Sequence, residues 1–505
     1  MSLFIRKPLS QLLAQAEDGE KSLKRTLTAT SLVLLGIGAI IGAGLFVRTA
    51  AAAGGHAGNA VTISFIIAAI GCALAGLCYA EFAAMIPIAG SAYTYSYATM
   101  GELVAWIIGW ALVLEYALGA ATVSIAWSQY LNKIFGGAIP FEWCHSPFEY
   151  LVNRNGIEVV TTSLQAGEAA ITNGIINLPA LLILLLISLV LIKGTQESAI
   201  VNAVIVFIKV AIVLIFIAIG WGFINPDNHT PYFIPQGDPG SAYEGFFNHG
   251  WGGVLRGAGI VFFAFIGFDA VSTAAQEAKN PSKDMPIGIL GSLVICTVLY
   301  ILFSHVLTGV APYTDFVNAG KEASVAYAIQ TYMTGYSWLA TAITIAILAG
   351  FSSVILVMLL GQSRVFYSMS KDGLLPGVFS ELHSKFRTPY KSNMILFVFV
   401  SIFGGFFPES WAGDLTSIGT LFAFVLVCIG VILMRRSDPD IPRTFKTPWV
   451  PVVPILGAIV CAIMILGLPA GTQLTALGWM VIGLVIYFLY SARHSKLRNP
   501  AAAKK

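Results

Sequence analysis

The chain has 505 residues, 57% of them apolar and only 10% charged, with a formal net charge of +3. A soluble domain carries roughly 25% charged residues, so too few charges are present to clothe a water-facing surface, and lipid must solvate most of it. No basic stripe interleaved with aromatics accompanies the small positive balance, so nucleic acid has no support as a partner.

The first residues, Met1 to Thr28, are polar and charged and do not read as a cleavable signal peptide. Beyond them, a bilayer-crossing helix needs about 20 apolar residues. Twelve stretches qualify: 29–52, 58–86, 101–132, 175–193, 196–220, 251–276, 287–311, 338–368, 391–408, 412–434, 450–469 and 474–492. The longest connections, 133–174 and 221–250, contain Pro, Asn and Gly and read as loops with local structure. With both termini on the cytoplasmic side, 22 of the 28 Lys and Arg fall on inner segments and four on outer ones (Arg48, Lys133, Arg154 and Lys321). That bias sets the orientation. It makes spans one and six run in opposite directions.

Those two spans are broken by glycine. Span one reads Gly36-Ile-Gly-Ala-Ile-Ile-Gly-Ala-Gly44, and span six reads Gly257-Ala-Gly-Ile-Val-Phe-Phe-Ala-Phe-Ile-Gly-Phe-Asp269. Glycine costs about 1 kcal/mol per residue in a helix relative to alanine. Unwound backbone survives at membrane depth only where protein buries it or a cavity wets it. Paired breaks in two halves of a chain point to a transporter's substrate site. The expected class is therefore an all-α integral membrane protein of twelve transmembrane helices. Two five-helix halves, 29–220 and 251–434, would form an inverted repeat with discontinuous helices 1 and 6. The loop 221–250 would join them, residues 435–492 would add two further helices, and 1–28 and 493–505 would be cytoplasmic tails.

Unwinding at Ile40, Ile41, Gly42, Ala43 and Gly44 would free N–H groups at the positive end of a half-helix, where a substrate carboxylate fits. The alternative is close helix packing through small residues. Carbonyls released around Phe263, Ala264 and Ile266 can accept from a substrate ammonium. Asp269 follows them, either capping the second half-helix or acting as a gate; the two roles are compatible.

Two further charges lie inside spans, where ionisable groups usually face the protein interior. Glu115, in span three, can meet a substrate cation, directly or through water, or be a protonated and structurally satisfied acid. Lys209, in span five, lies too deep to snorkel. It reads as a proton-coupling element, as a fixed charge in place of a metal cation, or as half of a structural ion pair.

Five of the six cysteines lie in apolar spans; Cys144 alone falls in a polar loop, where it can be a buried hydrophobe or a link to another chain. No Walker loop, HExxH or GxSxG sequence is present. Neither an enzyme, a metal site nor a cofactor is expected, and a proton gradient is the expected driving force.

The sequence resembles the cationic amino acid transporter branch of the amino acid–polyamine–organocation superfamily. The likeness is carried by residues 36–44, Ile63 through Phe82, Gly90-Ser-Ala-Tyr93-Thr-Tyr95-Ser-Tyr97, Phe263 through Asp269 with Asn280-Pro281, and Ser370-Lys-Asp372-Gly373-Leu-Leu-Pro376. The resemblance implies alternating access and proton-coupled L-amino acid transport across the plasma membrane. Substrate would bind Ile40 through Gly44 and Phe263, Ala264 and Ile266, with Glu115 as the span-three acid and Lys209 at the place of a sodium site. Ala43 departs from a common hydroxyl residue. The bulk of Phe351, on span eight, favours a small neutral, alanine-like substrate, whereas Glu115 would favour a cationic one, so arginine, lysine or ornithine stays the alternative. Sodium-independent exchange stays open, as does a channel or sensor using the same pocket. The partners expected are the amino acid and the bilayer, with no obligate protein partner.

Overall fold

The computed structural model describes residues 3–12, 25–42, 44–154, 157–164, 168–238, 243–318, 324–468 and 470–499. Ala43, most of the amino-terminal tail and the last residues of the carboxy-terminal tail lie outside them. The apolar helices, in chain order, are α1 Ala29–Ile40, α2 Val61–Met85, α3 Glu102–Val113, α4 Gly119–Ile134, α5 Leu178–Lys193, α6 Thr195–Gly220 and α7 Gly250–Phe262. They continue with α8 Pro281–Val310, α9 Ser337–Lys371, α10 Tyr390–Phe406, α11 Glu409–Ser437, α12 Val452–Leu466 and α13 Ala470–Ile486.

The expectation of twelve transmembrane helices in a five-plus-five inverted repeat is corrected here. Eight helical runs among the described residues are long and apolar enough to cross a membrane. Predicted spans one and two form a single run, Ala29–Met85, carried by π and 3-10 turns between α1 and α2. Three other predicted spans correspond to α5, α10 and α12, which have 16, 17 and 15 residues. At 1.5 Å per residue these reach only about 23–26 Å, short of a hydrocarbon core of about 30 Å. Proline and glycine set these limits: Pro179 opens α5 and Gly194 ends it, Pro389 precedes α10 and Pro408 lies just beyond it, and Pro451 and Gly467 flank α12. Eight runs of this kind do not define two five-span halves. The loop 133–177 adds a three-stranded antiparallel sheet, β1 Tyr150–Arg154, β2 Ile157–Thr161 and β3 Ala170–Asn173, in the order β2-β1-β3.

Side chains such as Phe207 and Leu474 point out of the bundle with 75% and 71% of their area exposed, as lipid-facing groups do. Both terminal segments dock on one face. Lys7 pairs with Asp372 at 2.5 Å, and the Lys496 N–H donates to the Asp372 carbonyl. The same face holds Glu102, which pairs with Arg498 at 2.6 Å. Loop 133–177 and loop 221–249 lie at the opposite ends of the helices. Cys144 is buried there, its thiol against the Pro140 carbonyl at 3.1 Å.

Candidate substrate site

Both glycine-rich stretches break. α1 stops at Ile41, which is extended (φ −77°, ψ 102°), and helix resumes as a π turn at Gly44–Arg48. α7 passes into a 3-10 turn at Phe263–Phe265, turns out at Ile266 (ψ 134°) and resumes as 3-10 helix over Asp269–Glu277. A nine-residue 3-10 run is long for that geometry and marks strain or a hinge. Gly267 makes the turn, with φ +112°, a region other residues avoid.

The two breaks touch. A Cβ on Gly44 would stand 2.1 Å from the Ala264 Cα; only glycine permits that crossing.

Backbone carbonyls freed by the breaks need donors at this depth. Lys209, wholly buried, gives all three of its hydrogens: to Gly38 O at 2.9 Å, Ile41 O at 2.7 Å and Ser353 Oγ at 2.8 Å. Its charge lies at the negative end of the α1 dipole. Tyr300 Oη lies 2.8 Å from both Ile40 O and Ala264 O, bridging one break to the other. A carbonyl has two acceptor positions, so this contact does not exhaust Ala264 O.

Between the breaks lies a cavity of about 10 Å³, lined by Ala39, Ile40, Gly42, Gly44, Phe263 and Ile266 on one side. Gly119 and Val123 of α4, Val354 and Met358 of α9, and Thr416 of α11 complete it. That volume holds about one water. An amino acid enters only when these walls part.

Glu115 does not line this cavity. It lies in a π turn, Leu114–Leu118, of the kind frequent at functional positions. Its carboxyl is a neighbour of the Asp269 carboxyl. Asp269 accepts from Tyr116 Oη at 2.6 Å, while the Ala270 N–H donates to the Gly267 carbonyl and no side chain caps the resumed helix. Among the described residues no donor reaches either Glu115 oxygen or Asp269 Oδ1. One proton shared between the two carboxyls would satisfy two of these three oxygens.

The structure thus brings Ile40, Gly42, Gly44, Phe263, Ala264 and Ile266 together, with Lys209 behind α1 and Asp269 just past the second break. Phe351 is fully buried against Tyr130, ring centroids 5.5 Å apart, rather than in the cavity wall. Tyr300, Ser353 and the wall residues of α4, α9 and α11 escaped the sequence reading. A tyrosine midway along an apolar span needs a partner, and that was the available signal for Tyr300. Nothing local distinguished Val123 or Thr416.

Broken helices meeting among apolar helices, with buried charges beside them, fit a membrane carrier of the secondary-transporter class. The family match, described as amino acid permease, extends over residues 27–491. The chain belongs to the amino acid permease family of the amino acid–polyamine–organocation superfamily. It is 45% identical over 498 residues to the branched-chain amino acid permease BcaP of Bacillus subtilis, covering 99% of each chain. It is 42% identical to the methylthioribose transporter of the same organism, covering 99% of this chain and all of that one. Similarity to the vacuolar cationic amino acid transporter 4 of Arabidopsis thaliana is lower, 33% over 87% of this chain and 68% of the relative.

Proposed function

We propose that the chain carries an aliphatic L-amino acid across the plasma membrane by alternating access, with its termini in the cytoplasm and a proton as co-substrate. The observation that carries this reading is the wall of the central cavity. Gly119, Val123, Val354 and Met358 are apolar, Thr416 is neutral, and among the described residues no charged side chain lines the cavity. A cationic side chain placed there would lose its hydration with no counter-charge in the wall, whereas a branched or short aliphatic one would fit. The name of the branched-chain relative agrees with that choice. The carboxylate would meet the N–H groups of Gly42 and Gly44, and the ammonium the carbonyls at 263–266.

The proton would reside on the Glu115–Asp269 pair, with Lys209 holding α1 to α9 according to its charge. The relative named as a methylthioribose transporter supplies a second reading, because a thioether also suits a wall containing Met358. Such a ligand makes no use of the ammonium acceptors.

Proteoliposome uptake of radiolabelled leucine and alanine, with an imposed acid-outside gradient, tests the proposal. Accumulation that rises with the gradient and is blocked by unlabelled valine, but not by arginine or methylthioribose, is expected. Uptake indifferent to the gradient would remove the proton. Inhibition by arginine or methylthioribose at the concentration of valine would remove the aliphatic assignment.

A further inference from the structure

A second and larger cavity, about 440 Å³, lies toward the face opposite the termini. Small-ligand sites typically span roughly 300–1,000 Å³. α7 forms its floor and α12 one wall, and its lining is apolar apart from Ser417 and two arginines, Arg48 and Arg256. Arg256 donates to the Gly467 carbonyl that follows α12. Arg48 stacks over the Phe263 ring at 5.2 Å and abuts the backbone of Gly413. Among the described side chains, no carboxylate forms an ion pair with either guanidinium. A guanidinium held in an apolar cleft without a counter-charge favours an anion beside it, and its planar fork matches phosphate oxygens.

The mouth of the cavity decides what kind of anion arrives. Phe246, Phe247, Leu255, Ile463 and Leu466 are lining residues and are also exposed. On a membrane-embedded surface such side chains face lipid, so the cavity opens sideways into the bilayer. We propose that it binds an anionic phospholipid, with the phosphate on Arg256 and Arg48 and one acyl chain between α7 and α12. A guanidinium fork between membrane helices can hold such a head group by its phosphate oxygens. Phe263 lines both this cavity and the small one at the helix breaks. Lipid bound here would therefore touch the element that must move when substrate enters.

Native mass spectrometry of the full chain tests the site, using phosphatidylglycerol and phosphatidylcholine of matched acyl chains and free palmitate as probes. One phosphatidylglycerol should be retained with at least tenfold preference over phosphatidylcholine. Arg256→Gln should abolish the preference. Ile463→Trp, which fills the mouth and keeps both arginines, should abolish retention, so the test does not hang on one variant's folding. Equal retention of the two phospholipids, palmitate displacing phosphatidylglycerol at equal concentration, or a preference unchanged in either folded variant would overturn the proposal. Uptake plays no part in this readout, so its outcome is separable from the substrate assignment.

Discussion

At Lys209 three hydrogen bonds converge on one ammonium, two of them to carbonyls of α1 and the third to α9. Losing the ammonium frees those carbonyls inside the protein, where each unpaired polar group costs about 1–3 kcal/mol. Lys209→Ala should abolish acid-stimulated accumulation in proteoliposomes while leaving substrate binding measurable. Wild-type pH dependence in that variant would exclude Lys209 from coupling. Gly44 makes a purely steric prediction. Gly44→Ala places a methyl 2.1 Å from the Ala264 Cα, whereas a Cβ on Gly55 meets nothing within 4 Å. Uptake should vanish in the first variant and persist in the second; equal activity would show that the crossing relaxes freely. A lysine in an apolar run announces itself in the sequence, as does a glycine cluster. The partners of Lys209 do not, because Gly38 and Ile41 stand 171 and 168 residues away.

Among elements, the two breaks were legible because glycine weakens a helix wherever it clusters, independent of tertiary context. The number of full spans was not. Hydropathy counts apolar residues, whereas helix length depends on where Pro179, Pro389 and Pro451 begin a helix and where Gly194 and Gly467 end it. Tyr300 shows the other limit, since its position on α8 matters only once α1 and α7 lie beside it. Its hydroxyl is the bridge between the breaks. A net hydrogen bond is worth about 1 kcal/mol, so Tyr300→Phe should weaken substrate binding by roughly five- to tenfold, and it should also lower thermal stability because two buried carbonyls lose their donor. Unchanged affinity by isothermal titration would mean that the breaks are aligned by packing alone.

For the molecule as a whole, the face that binds both termini also carries the buried ion pair Arg364–Glu277, at 2.7 Å with side-chain exposures of 1% and 0%. It ties α9 to the end of the resumed helix after the second break. Removing one partner of such a pair typically costs about 3–5 kcal/mol, while replacing both by apolar groups is often neutral. Arg364→Met should therefore lower the unfolding temperature in detergent more than Arg364→Met with Glu277→Leu. Additive losses would show that the two groups act separately. Composition and charge made the membrane setting plain, and the family follows from the whole length of the chain. Lysine and arginine counts grouped the terminal segments on one side, and the structure docks both on one face.

The central claim is that two helix breaks offer peptide groups to a zwitterion whose side chain meets an apolar wall. Competition of radiolabelled leucine binding by leucine, leucinamide, N-acetyl-leucine and arginine tests all three contacts at once on the purified protein. Leucine alone should compete, with leucinamide, N-acetyl-leucine and arginine each at least tenfold weaker. Leucinamide or N-acetyl-leucine matching leucine would contradict recognition by the broken helices, and arginine matching it would contradict the apolar wall.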